Sequence, residues 1–362
     1  MNKQSYLFQP SHTPHKAKFP AIDAHNHLWG DWQVDKIAAT MDQVGVISYC
    51  DLTANVRISF EDGGYNVRKG SFEDFVQNCM SKYPDRFYGF TMANFAHPAD
   101  EPLYENAETF VKATIVTLRK HVALGAKGLK ILKELGLHHK DTAGNLINID
   151  NPALAPIWDE AAKMGIPVLM HQSDPYGFFE PVTEENEHFE TLKKFPSWSY
   201  VDPKFPRKEV LLLRRDNVIK RHKKTTFILP HLANFAENLP YVDQLLDDCP
   251  NVYVDFSARM DELGRQPYSA RKFILKHQDR IIFGTDMPAS IPESIDMYRC
   301  YFRFLETFDE GFYCPDYDGT FNRSRWPICG IGLPDKVLHK IYFKNLVKII
   351  PSLKKQLQKF KR

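Results

Sequence analysis

The feature that most narrows the fold of this chain is a rhythm. Eight short apolar runs recur along it, at 21–28, 45–50, 87–94, 127–132, 166–171, 225–231, 252–256 and 281–286. Stretches with apolar residues at helical spacing fall between them, as at 34–44, 72–83, 106–124 and 156–164. Near-continuous apolar runs are what strands covered on both faces require. Strand alternating with helix gives parallel order. Eight such units in 362 residues fit an α/β fold, a (β/α)8 or TIM barrel, in a single domain. An open doubly wound sheet is the competitor. It would want a glycine-rich phosphate loop after the first strand, where this chain has His25-Asn26-His27.

The reading places an N-terminal extension at 1–20, the barrel at 21–350 and a tail at 351–362. Residues 51–71 are polar and glycine-rich, which predicts a loop. Two longer excursions break the rhythm. One, 173–208, follows the fifth strand and carries Phe178, Phe179, Trp198 and five prolines at 175, 181, 196, 203 and 206. Loops at the carboxyl ends of barrel strands line the active site, so this one is a candidate lid. The alternative is a flap that packs its aromatics on the rim. The other, 308–334, precedes a helix expected at 335–350.

How the runs end matters more than how they begin. The first finishes on His25 and His27, which lie two residues apart and so share one face of a strand. The fifth finishes on His171, the sixth on His231 and the eighth on Asp286. In a parallel barrel all carboxyl ends meet at one mouth. Singly, each of these is more often a hydrogen-bonded rim residue. Jointly, four imidazoles and a carboxylate make a metal and proton-transfer site, and neutral imidazole with carboxylate suits zinc, with manganese or iron as alternatives. On zinc, the pKa of bound water falls to about 7.

Composition excludes several other classes. The formal charge of +2 leaves no nucleic-acid footprint. No apolar run reaches the length of a membrane span. Residues 1–20 lack the apolar middle of a signal peptide, so a cytoplasmic protein is expected. Six cysteines are scattered without a Cys-x-x-Cys pair, which reads as reduced thiols.

Asp23-Ala24-His25-Asn26-His27, Val168-Leu169-Met170-His171, Leu229-Pro230-His231 and Phe283-Gly284-Thr285-Asp286-Met287-Pro288 together resemble the motifs of the amidohydrolase superfamily. They look most like its branch containing aminocarboxymuconate-semialdehyde decarboxylase, γ-resorcylate decarboxylase and assorted hydrolases. The resemblance spans about residues 20–350. It implies one divalent metal on His25, His27, His171 and Asp286. It also implies His231 as a catalytic histidine beside the metal-bound water, with Asp286 taking a proton from that water.

Lys130 lies near the end of the fourth run, where two-metal relatives place a carboxylated bridging lysine. A cation gripping a substrate carboxylate and a plain solvated lysine are the other readings. One metal is expected, because the one-metal relatives match more closely. Arg259 and Arg265 are further candidate anion grips.

The functional expectation is a metal-dependent hydrolase acting on a small, carboxylate-bearing substrate. A nonhydrolytic decarboxylase on the same site is the alternative, and a noncatalytic binding protein comes third. Expected partners are a small molecule and no nucleic acid or membrane, with a homo-oligomer left open.

Overall fold

The computed structural model describes residues 11–61, 64–291, 293–314 and 326–355. Eight parallel strands form the barrel. They are β1 (Ala21–Asn26), β2 (Val46–Asp51), β3 (Phe87–Gly89), β4 (Leu129–Ile131), β5 (Val168–Met170), β6 (Phe227–Leu229), β7 (Val252–Asp255) and β8 (Ile281–Ile282). Ladders join β1–β2–β3 and β4–β5–β6–β7–β8 in sequence order. A parallel bridge from Thr91 to Leu129 links β3 to β4. The circle closes where Ala24 N–H donates to Phe283 O at 3.0 Å and Asp286 N–H to His25 O at 2.7 Å. Gly284 sits at this seam because a Cβ there would lie 2.7 Å from the Cβ of His25.

Strand alternation divides the apolar side chains into two sets. Ile22, Ile47, Tyr88, Leu169, Ile228, Tyr253 and Ile282 point inward and share one buried cluster. Val46, Phe87, Leu129, Val168, Phe227, Val252 and Ile281 point outward into a second, larger cluster under the helices. The helices are α1 (Val34–Val44), α2 (Ala107–Ala123), α3 (Ala155–Lys163), α4 (Lys208–Arg221), α5 (Leu239–Asp248), α6 (Pro267–Lys276) and α7 (Ser294–Glu306). For α2 the causes are local. Asn106 caps the start by accepting from Thr109 N–H at 2.9 Å. Phe110, Val111, Thr114, Leu118 and His121 form its buried stripe. Gly125, at φ +114°, ends the run.

The expected strands are present, but shorter than their apolar runs. Residues 283–286 leave the ladder to turn into the mouth. The stretch 51–71 is a correction: it holds an antiparallel hairpin, Val56–Glu61 with Gly64–Lys69, not a loop. Thr53 and Asn55 start the turn that feeds it, and Ile58 brings it to the barrel mouth. The helix expected at 72–83 is one α-turn (Phe72–Phe75) followed by a π-helical turn (Val76–Met80). The last helix is likewise interrupted by a π-turn at Lys340–Lys344. That C-terminal segment closes the amino end of the barrel. Asn345 Nδ2 donates to Ile281 O and Gln278 O, and Leu346, Ile350 and Leu353 join the inward cluster. No helix among the described residues is long and apolar enough to cross a membrane.

Candidate metal centre

At the other end of the barrel the strands deliver polar side chains, and hydrogen bonds behind His25, His27 and His231 fix their tautomers. His25 is fully buried, and its Nδ1 lies 2.8 Å from Asp255 Oδ2. A carboxylate accepts, so Nδ1 carries the proton and Nε2 presents a lone pair. That Nε2 has no hydrogen-bond partner and stands 3.9 Å from Asp286 Oδ1. His27 repeats the arrangement. Thr53 Oγ1 gives its own proton to Asp51, so it accepts from His27 Nδ1 at 3.1 Å. The His27 Nε2 lone pair is then left 3.7 Å from the same Asp286 Oδ1. Two bare nitrogens and a carboxylate oxygen thus converge with no proton among them. Such a set is incomplete without a cation.

His231 meets the other oxygen. Its Nδ1 donates to Ser257 O at 2.8 Å, and its Nε2 lies 3.8 Å from Asp286 Oδ2. Ligand atoms of His25, His231 and Asp286 all fall within 4.8 Å of one another. His171 stands next to His231, with ring centroids 4.7 Å apart, but its Nε2 is turned to Asp174 Oδ1 at 3.3 Å. Burial pushes the pKa values of His231 and His27 well down and that of His171 down, which keeps the imidazoles neutral. For Asp255, burial works upward. The His25 imidazole and the hydrogen bonds from Ser257 and His231 outweigh it and hold the carboxyl below its usual range.

The backbone that aims these groups is strained. His231, Leu232, Ala233 and Asn234 all have φ between +53° and +57°, Asp286 has +56° and Ala258 +52°. None is glycine, so each costs conformational energy that the surroundings must offset. The offsets are visible. Asp255 Oδ1 accepts from His231 N–H at 3.1 Å, and Asn234 N–H returns to Pro230 O at 3.0 Å.

Above the centre opens a cavity of about 560 Å3, a volume suited to a small organic ligand. Trp29, stacked on His27 at 4.5 Å, and Phe178, Trp198 and Trp326 supply its aromatic wall. The excursion 173–208 therefore contributes directly to the cavity, through Phe178, Glu187, His188 and Trp198. Arg265 binds Glu187 of this segment through two bonds, 2.8 and 3.0 Å, and lies over the Trp326 ring. It latches the rim, and its guanidinium is engaged there.

Arg259 lines the cavity, and Nη1 donates to Ala258 O. Lys130 is different. It faces inward from β4 between the outward-facing Leu129 and Ile131, fully buried, with Nζ lacking a partner. Burial lowers its pKa to about 8 against the pull of Asp286 and Asp255. It belongs to the barrel interior and is not among the residues that line the cavity. The neighbouring Lys133 does line it, paired with Asp174 Oδ2. Burial raises the Asp174 carboxyl, but Lys133 and His171 bring it far down on balance.

Asp255, Ser257, Thr53 and Asp174 are the groups that sequence reasoning passed over. Asp255 carried a usable signal, since it ends an apolar strand just as the histidines do.

A family model described as Amidohydrolase matches residues 22–345. Among solved structures, a 2,6-dihydroxybenzoate decarboxylase complexed with 2,6-dihydroxybenzoate is 15% identical, with a TM-score of 0.54 over 92% of this chain and 99% of that one. A dihydroxybenzoic acid decarboxylase from Polaromonas sp. JS666, with bound manganese and the inhibitor 2-nitroresorcinol, is 14% identical, with a TM-score of 0.56 over 92% and 97%. A putative amidohydrolase from Staphylococcus aureus is 15% identical, with a TM-score of 0.52 over 91% and 99%. At these identities the likeness is one of fold, the amidohydrolase barrel. No curated protein sequence matches.

Proposed function

The chain belongs to the amidohydrolase family, and from that premise we propose that it is a metal-dependent decarboxylase of a small aromatic acid. The observation that carries the reading is the mouth itself. Lone pairs of His25 and His27 converge on one oxygen of Asp286, directly beneath an aromatic-walled cavity that also holds Arg259. An aromatic acid fits those walls. Two of the solved neighbours are named as decarboxylases of dihydroxybenzoic acids, and one of them was solved with manganese.

In this reading His25, His27 and Asp286 hold one divalent ion, with His171 joining by leaving Asp174. Zinc and manganese both suit the set. When bound, such an ion supplies Lewis acidity toward the substrate's carboxylate and an adjacent oxygen. The remaining work falls to the chain. Trp29 and the lid aromatics orient the ring and exclude water. Arg259 and Lys130 are the proposed cations for the acid, Arg259 by contact and Lys130 by field from below. Asp286 Oδ2 and His231 Nε2 face each other as two acceptors at 3.8 Å, so a proton brought between them is shared. Delivered to the ring carbon that carries the carboxylate, that proton lets the carbon–carbon bonding pair restore the ring's aromaticity as carbon dioxide leaves.

The same centre could instead activate water against a lactone, amide or ester, the hydrolytic reading of the sequence. The two separate by product. Metal-loaded protein in deuterated water should release carbon dioxide from 2-hydroxybenzoates and leave deuterium at the vacated ring carbon. Turnover of lactones or amides, with no carbon dioxide from any aromatic acid, would replace this proposal with the hydrolase.

A further inference from the structure

One cavity residue has no place in that chemistry. Glu262 follows β7 in the short helix Met260–Gly264 and lines the cavity. It is 4% exposed, and its Oε2 is buried with no hydrogen-bond partner. A buried carboxylate oxygen left unpaired destabilises a fold, and ordinarily a partner is found for it. Arg259, the cation that acts on it most, directs Nη1 to Ala258 O, and the two side chains form no ion pair; Glu237, which acts on it with like charge, has a buried unpaired Oε2 of its own. Burial raises the Glu262 carboxyl, with Arg259 and His188 opposing and Glu237 adding to the rise. Glu262 and His188 line the cavity without being among the ligands of the metal centre. Outside the metal centre, two other cavity carboxylates are paired: Asp174 with Lys133 and His171, Glu187 with Arg265.

We propose that Glu262 is a specificity-determining residue, whose free oxygen accepts a hydrogen bond from an amino or hydroxyl donor on the substrate ring, remote from the carboxylate held at the metal centre. The inference rests on the aromatic-acid reading above and narrows it to acids carrying such a donor. A site built to hydrogen-bond a polar substituent discriminates strongly against an analogue lacking it, because its own buried group is then left unpaired. The unpaired Oε2 is that condition in the ligand-free protein.

The test is calorimetric binding to the manganese-loaded full chain. The probes are 2-hydroxybenzoate and its 4-amino and 5-amino derivatives. The variants are Glu262→Met, which keeps volume and removes the acceptor, and Glu262→Gln, which keeps one. The wild type should bind one amino derivative about tenfold or more tighter than the parent acid. Glu262→Met should lose that preference, bind the parent acid as before and melt at a higher temperature. Glu262→Gln should keep part of the preference. Equal affinity of the wild type for all three acids overturns the proposal and leaves the aromatic-acid reading standing. So does a preference that survives in Glu262→Met, or a Glu262→Met protein that melts lower and weakens all three acids alike. Failure of the wild type to bind any of the three defeats the aromatic-acid reading itself, and this inference with it.

Discussion

At its amino end the barrel is plugged by Leu346, Ile350 and Leu353, which pack on the inward apolar side chains of the strands. At its carboxyl end the same strands carry His25, Asp255, His231 and Asp286 into a space with unpaired nitrogens, left-handed non-glycine residues and, just below, an unpartnered lysine. One end lowers the free energy of the fold. The other raises it locally and holds groups poised for a ligand. The difference teaches where to expect each kind of mutational effect. Floor substitutions should change stability without changing chemistry, and mouth substitutions should do the reverse.

The largest effect is expected at Asp286. Asparagine is the replacement its left-handed backbone tolerates best. Asp286→Asn should therefore stay folded, bind metal poorly and lose turnover by on the order of 10²–10⁴-fold, the usual cost of a lost acid–base group. Circular dichroism, metal analysis and rate measurements together check this. A well-folded Asp286→Asn protein with full turnover would dissolve the contrast between the two ends.

At the floor, Leu346→Ala removes a side chain that is 2% exposed. It should cost about 2–5 kcal/mol in denaturant unfolding, with rate per folded molecule unchanged. A comparable loss of turnover in the folded fraction would mean that floor and mouth are coupled. Asp255→Asn acts one step behind the centre, by weakening the hold on His25 Nδ1. Metal affinity should fall about 10–100-fold, read by competition with a chelating dye, while the protein remains loaded at high metal concentration.

The smallest effect has the opposite sign. Lys130 has a folded-state pKa of about 8, below the roughly 10.4 of an exposed lysine. The folded chain therefore sheds this proton first. Charged Lys130 lowers stability below pH 8, and the penalty is relieved as pH rises from 8 toward 10. Lys130→Met should raise stability at pH 7 by on the order of 1–3 kcal/mol, with the gain shrinking across that window. A lysine carrying a carboxyl group or sitting in a second metal site would show a loss instead.

Much of this architecture was readable from the chain. The strands were, because a parallel strand covered on both faces must be apolar along its length. Their polar terminal residues were, because His25, His171, His231 and Asp286 stand out against such runs. The hairpin at Val56–Lys69 was not, since most of its residues are polar or glycine and resemble a loop. The four left-handed residues from His231 to Asn234 were not either, because no glycine marks them. Pairings such as His25 with Asp255 join residues 230 positions apart and become visible only when the barrel closes. Glu262 escaped notice for a related reason: its missing partner is a property of the assembled cavity.

The division of labour around Asp286 is the central claim, and an anomalous difference map from crystals grown with zinc tests it most directly. The account expects one peak, about 2.0–2.2 Å from Nε2 of His25 and His27 and from an oxygen of Asp286. His171 should have swung off Asp174 to join them, and His231 Nε2 should stand outside bonding distance. A peak bonded to His231 with His171 still on Asp174, or no peak at the mouth, would contradict it.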